Sequence, residues 1–180
     1  TFIGFFGRAN ADALSRIYGK VMLKEPVFSK FDCNVEIYQE DTVSLSKKLK
    51  NIDITYLDPP YNQHPYGSNY FMLNLIIKNK LDVPVSRISG ITQDWNRSSF
   101  NKPYLALQAL EEVVSSLDSK YIVFSYNSEG FISFDEMQNM LKKYGKLKTV
   151  EIKYNTFRGC RNLNGRAIHV KEYLFVLRKE

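Results

Sequence analysis

The chain has 180 residues and a mass of 20.9 kDa, the size of one domain with at most a small appendage. Hydrophobic residues make up 44% and charged residues 24%, which excludes wholesale disorder; the longest apolar stretch, Phe71 to Ile77, is interrupted by Asn74 and is too short to cross a bilayer. Twenty-five Lys and Arg against nineteen Asp and Glu give +6, and the excess is concentrated: Lys153 to Lys179 holds seven basic residues and one acid, Glu172.

The first thirty residues are aromatic and irregular, with Phe2, Phe5 and Phe6 beside Gly4 and Gly7. A short helical stretch comes next near Asn10 to Tyr18, stopped by Gly19. The run Val35 to Glu40 and the run Ile54, Tyr56, Leu57 predict strands, with a helix or turn over Thr42 to Lys50 between them. Tyr70 to Lys78 predicts a buried helix. From Lys80 to Lys102 no period is visible, so a long loop is expected, and loops of that length are usually functional or mobile. Pro103 opens a helix with Leu107, Leu110, Val113, Val114 and Leu117 on one face. Tyr121 to Phe124 is a β-rich run, and Ser133 with Glu136 is a capping box starting a helix that ends at Gly145. Val150 to Tyr154 and Tyr173 to Leu177 close the chain as strands.

Strands near 35, 54 and 122, each succeeded by a helix, predict an α/β fold with a mainly parallel sheet. No helical pattern separates the last two strands, so a C-terminal antiparallel pair is expected. In open α/β sheets, ligands bind beyond the carboxyl ends of the parallel strands, which directs attention to the residues just after Leu57 and Phe124. No secretory leader pattern is visible, so a soluble intracellular domain with no membrane partner is expected. Cys33 and Cys160 cannot make a disulfide framework or a four-cysteine zinc site, and His64 and His169 are the only imidazoles, so no metal site is expected.

Immediately after Leu57 the chain reads Asp58-Pro59-Pro60-Tyr61. At average residue frequencies this tetrapeptide arises by chance in such a chain roughly once in a thousand. A rigid turn ending a strand is the plainer reading, but an Asp and a Tyr together at the ligand-binding edge favour chemistry. Thr55 to Leu75 (TYLDPPYNQHPYGSNYFMLNL), Ser125 to Ser133 (SYNSEGFIS), Thr156 to Asn162 (TFRGCRN) and His169 to Phe175 (HVKEYLF) resemble successive blocks of the D12 class of adenine-N6 DNA methyltransferases of restriction–modification systems. The resemblance touches most of the chain from about Val35 onward.

That resemblance implies a Rossmann-like fold, present in part, that transfers a methyl group from S-adenosylmethionine to an adenine flipped out of double-stranded DNA. It makes Asp58 and the Pro59 carbonyl acceptors for the N6 hydrogens, with Pro60 stiffening the backbone and Tyr61 stacking on the base. Asp41 matches an acidic residue that contacts the cofactor adenine in relatives, with an N-cap or solvated loop acid as the alternative. Asp58 borders the cofactor as well. Ser125, Tyr126 and Asn127 fall near the target or cofactor, and Phe157 is either a second face for the flipped base or a core residue. Arg158, Arg161, Arg166 and Lys171 are implied phosphate contacts, which make binding salt-dependent, and Trp95, Arg97 and Lys102 in the long loop are candidates for groove or backbone contact.

Members of this class also carry a Phe-x-Gly-x-Gly loop after their first strand, ahead of the catalytic block. Phe2-Ile3-Gly4-Phe5-Phe6-Gly7 has the residue types but not the spacing. The chain is therefore expected to be a C-terminal portion, with residues 1–32 ending a recognition or linker region and 33–180 forming the catalytic part. An N-terminal half or complementary chain carrying the cofactor loop is the implied partner. The alternatives are a non-catalytic DNA-binding remnant or a split subunit, and, further off, methylation of RNA adenine, N4 of cytosine or protein glutamine.

Overall fold

The computed structural model describes residues 25–28, 32–80, 82–87, 90–92, 95–155 and 169–180. The chain divides into two units, Thr1–Gln39 with Tyr70–Trp95, and Glu40–Asn69 with Asn96–Glu180.

The second unit holds the sheet. Its strands are β1 (Ile52–Leu57), β2 (Ser119–Asn127), β3 (Gly145–Asn155) and β4 (His169–Lys179), in the spatial order β1–β2–β4–β3. β1 and β2 are parallel, with Leu57 opposite Phe124. β4 pairs antiparallel with β2 on one side and β3 on the other. The expected C-terminal antiparallel pair is present, whereas the expectation of a mainly parallel sheet is corrected: among the described residues one pairing is parallel and two are antiparallel.

The helices obey local sequence. α1 (Thr42–Lys48) is capped by Asp41, whose carboxylate accepts from Ser44 N at 3.1 Å. α2 (Tyr66–Asn69) is a single turn after Pro65. α4 (Pro103–Ser116) starts on the proline, because Pro fixes φ and its missing N–H is one that a first turn leaves unpaired anyway. α5 (Phe134–Leu141) opens with the Ser133–Glu136 capping box; Glu136 N donates to Ser133 Oγ at 3.3 Å and Ser133 N to Glu136 Oε2 at 2.9 Å. α5 ends at Leu141, before the expected Gly145, because the chain tightens into a 3-10 turn over Lys142–Tyr144. Gly145, at φ 147°, then begins β3; an added Cβ would sit 2.0 Å from the Arg178 carbonyl oxygen.

Alternation along the strands sorts the sheet into two faces. Ile122, Phe124 and Tyr126 of β2 lie beside Leu177, Phe175 and Tyr173 of β4, and all six are buried. Leu110, Val113 and Val114 of α4 and Met137, Met140 and Leu141 of α5 join the same cluster. Each such fully buried apolar side chain contributes about 1.5–3 kcal/mol. The opposite face carries Ile54, Tyr56, Tyr121, Val150 and Ile152, which are 64%, 59%, 40%, 40% and 55% exposed.

In the first unit, α3 (Phe71–Ile77) forms where a buried helix is expected, but only Phe71 is buried while Leu73, Ile76 and Ile77 are exposed. A short helix with Asn74 as its one polar residue carries no clear stripe to say which face will be covered. Val85 and Thr92 form an isolated antiparallel bridge inside the expected long loop. The strand expected over Val35 to Glu40 is corrected: these residues form no strand, and Val35 and Ile37 are 74% and 90% exposed. A β-rich run becomes a strand only through a ladder with a neighbour, and none of the described residues pairs with this one. The helix expected near Asn10 to Tyr18 lies outside the described residues.

Candidate active site

Asp58 comes directly after the last residue of β1, at the carboxyl edge of the parallel pair, and Leu57 lies opposite Phe124, so Ser125 to Asn127, the last three residues of β2, extend past it at the same edge. Asp58 is exposed, Pro59, Pro60, Tyr61 and Asn62 are half-buried, and no hydrogen bond or ion pair joins the Asp58 carboxylate to the described residues. Tyr61 packs against the core cluster, its ring edge-on to Tyr126 at 6.0 Å between centroids and 72° between planes. Burial raises the Tyr61 pKa above 10.0, reinforced by the charges of Glu172, Asp58 and Glu129 and by Tyr66. Its hydroxyl therefore stays protonated and the ring neutral through physiological pH.

Tyr126, expected near the target or cofactor, turns into the core. It is 4% exposed, lies nearly parallel to Phe124 at 5.5 Å, and its hydroxyl accepts from Ile132 N at 2.9 Å. Burial raises its pKa as well. With Phe124 stacked on one face and Tyr61 set edge-on to it, the Tyr126 ring packs against Tyr61 from the core. Asn127 is equally committed: Nδ2 donates to Glu172 Oε1 at 2.6 Å and Oδ1 accepts from Glu129 N at 2.7 Å. Ser125 is half-buried at the same strand end.

The segment after Asn127 returns to the Asp58 loop. Phe131 N donates to the Tyr61 carbonyl at 3.1 Å. From the other side, Asn101 Nδ2 donates to the Asn62 carbonyl at 2.9 Å, and His64 N donates to Asn62 Oδ1 at 2.9 Å. Sequence reasoning assigns no site role to Asn101, Phe131 or Glu172. The first two act across 39 and 70 residues of chain (101 − 62 and 131 − 61), and Glu172 meets Asn127 only through the antiparallel register. No local spacing carries such signals.

Asp41 does not end a strand; it caps α1 and, with Val43, Ser99, Leu105, Gln108, Ala109 and Glu112, lines an open cleft of about 320 Å³. Lys171, an expected phosphate contact, is ion-paired with Glu151 at 2.9 Å, which raises its pKa and offsets part of its charge. Arg97 is exposed, and Lys102 is half-buried where the chain enters α4. Trp95 is half-buried in the first unit. His64 and His169 are exposed. Phe157, Arg158, Arg161, Arg166, Cys160 and the Phe2 to Gly7 segment lie outside the described residues. Among the described residues no group of three His, Cys, Asp or Glu side chains is placed to hold a metal, and no helix is long and apolar enough to cross a membrane.

Known proteins share much of this chain. The type II methyltransferase M.NlaIII of Neisseria lactamica is 33% identical over 146 residues, covering 80% of this chain and 43% of that protein. The type II methyltransferase M.CviAII of Paramecium bursaria Chlorella virus 1 is 31% identical over 165 residues, covering 88% of this chain and 48% of the relative. The modification methylase StsI of Streptococcus sanguinis is 32% identical over 148 residues, 79% of this chain and 22% of its own. The chain thus spans less than half the length of each of these relatives. No solved structure gives a significant match. Residues 19–140, which take in β1, the Asp58 loop, α4, β2 and most of α5, match the family directly, and the chain belongs to the D12 class of N6 adenine-specific DNA methyltransferases.

Proposed function

We propose that this chain carries the base-receiving part of a site-specific adenine-N6 methyltransferase acting on double-stranded DNA with S-adenosylmethionine as methyl donor. The observation that carries the reading is an exposed carboxylate, Asp58, standing beside a proline carbonyl at the carboxyl edge of β1 and β2, with a neutral tyrosine ring next to it. Adenine N6 is a weak nucleophile because its lone pair is delocalised into the ring. Two acceptors, the Asp58 carboxylate and the Pro59 carbonyl, take its two N–H bonds and turn the lone pair outward, which is a positional contribution to rate. Tyr61 stacks on the base, worth about 1–3 kcal/mol, which offsets the few kcal/mol needed to unstack it from the duplex. As the new N–C bond forms, one N6 hydrogen leaves as a proton, through the Asp58 carboxylate to water.

The methyl donor supplies a carbon bonded to a positively charged sulfur, whose loss of charge drives transfer. The described residues fit it in part: in the α1–α4 cleft the Asp41 carboxylate, one oxygen of which caps α1, is an acceptor suited to the hydroxyls of an adenosine group, while Glu112 is already ion-paired with Lys47 at 2.6 Å. Arg97, Lys102 and Lys171, with Arg158, Arg161 and Arg166, would lie along the DNA backbone. This reading is tested by incubating the protein, with any polypeptide that flanks it in its natural gene, with DNA and methyl donor, then digesting the DNA for mass spectrometry. N6-methyladenine is expected; N4-methylcytosine, or methylated glutamine in a protein substrate, would assign the loop to another acceptor, and no product at all would favour the DNA-binding remnant.

A second observation bears on completeness. Parallel pairing is ordinarily covered on both sides, yet Ile54, Tyr56, Tyr121, Val150 and Ile152 leave one face of the sheet apolar and exposed. With relatives more than twice as long as their match, this supports a Rossmann-like whole in which further polypeptide, carrying the cofactor loop, covers that face.

A further inference from the structure

Orienting an amine by two acceptors demands a loop held in one conformation, and the prolines provide only part of that. Pro59 and Pro60 fix φ but donate no hydrogen bond. The loop is held just past them, where two consecutive carbonyls take donors from remote parts of the chain: Tyr61 O from Phe131 N at 3.1 Å, and Asn62 O from Asn101 Nδ2 at 2.9 Å.

Asn101 is 6% exposed, the last residue of the 3-10 turn Ser99–Asn101. That turn is rigid: Phe100 N donates to Ser98 Oγ at 3.3 Å, Phe100 is in the core, and Pro103 opens α4 two residues on. Burying a carboxamide costs more than burying an apolar side chain of its size unless its donors are used, and among the described residues Nδ2 donates to the Asn62 carbonyl. On the other side, residues 128–132 are fixed by Tyr126 Oη accepting from Ile132 N at 2.9 Å and Asn127 Oδ1 accepting from Glu129 N at 2.7 Å.

We propose that Asn101 is a positioning residue for the methyl-transfer loop: its carboxamide, with the Phe131 amide, clamps Tyr61 and Asn62 so that Asp58 and the Pro59 carbonyl face the target amine. The clamp is a matter of geometry, while its effect on rate rests on the function proposed above. In the wild-type chain, a coupling across the hydrogen bond between Asn101 Nδ2 and the Asn62 carbonyl carbon is expected by NMR, and its absence would overturn the proposal without any variant having to fold. Asn101→Asp keeps the shape but sets an acceptor against an acceptor; Asn101→Ala removes the group. In either variant the Phe131 amide should lose about tenfold of its protection against hydrogen exchange, or about 1.4 kcal/mol, beyond any loss shared by the Ile122 and Phe175 amides. Unchanged relative protection in a folded variant would sink the clamp. In the methylation reaction, kcat per folded molecule should fall by about tenfold to a hundredfold, with KM for DNA and methyl donor within about twofold. An unchanged kcat would remove the positioning role. If instead Asp58→Ala methylates normally, the proposed function fails while the coupling and exchange results still decide the clamp.

Discussion

Replacing Tyr126 by Phe isolates one oxygen atom at the base of the site. The ring keeps its packing on Phe124 and its edge contact with Tyr61, at 5.5 Å and 6.0 Å between centroids. What is lost is the acceptor for Ile132 N, at 2.9 Å in a place where Tyr126 is 4% and Ile132 5% exposed. The Ile132 N–H would be left unpaired away from water, at a cost of about 1–3 kcal/mol. With a urea dependence of about 1–3 kcal/mol per molar for a domain of this kind, the midpoint should fall by roughly 1 M at neutral pH. The deficit depends on pH with a definite sign. Burial raises the Tyr126 pKa above 10.0, so its contribution is complete below that value and is lost as the pH climbs through the raised one. The gap between wild type and Tyr126→Phe should therefore be constant from pH 7 to 9 and narrow above about pH 10. Urea titrations followed by circular dichroism at several pH values measure it. A deficit below about 0.5 kcal/mol at pH 8, which is ordinary for a surface change, would refute the reasoning.

Gly130→Ala should destabilise by about 1–3 kcal/mol in the same titration, since the new methyl would sit 2.4–2.6 Å from the ring edge and hydroxyl of Tyr126. Lys179→Met should cost about 1–3 kcal/mol, because Nζ donates to the carbonyls of Val114, Ser115 and Leu117 at 2.8, 3.2 and 2.6 Å, filling the acceptors at the end of α4. Ile54→Lys with Ile152→Lys should leave the unfolding midpoint nearly unchanged and lower the binding of an apolar dye, as both side chains are more than half exposed.

Local chemistry is readable from the chain where the cause is local. Pro103 and the Leu107 to Leu117 stripe place α4, Ser133 with Glu136 starts α5, and the Asp58 to Tyr61 motif stands at a strand's carboxyl end as expected. The errors have a different origin. Val35 and Ile37 have strand composition, but the ladder that would make them a strand is a tertiary property. Tyr126 looks like a site residue because it sits in the right block, yet the period-two alternation of β2 turns Ile122, Phe124 and Tyr126 to the core together. Asp41 is legible equally as a cap or a ligand, and local hydrogen bonding supplies the cap. Asn101 and Phe131 are invisible in the sequence, because what they do depends on which carbonyl lies opposite after folding.

The central claim is that the Asp58 carboxylate presents the adenine amine for methylation, and quantifying N6-methyladenine formed by Asp58→Ala against the wild-type protein, each in its natural polypeptide context, tests it most directly. Product should fall by at least about a hundredfold while affinity for duplex DNA holds within about twofold; methylation at the wild-type rate without this carboxylate would contradict the account.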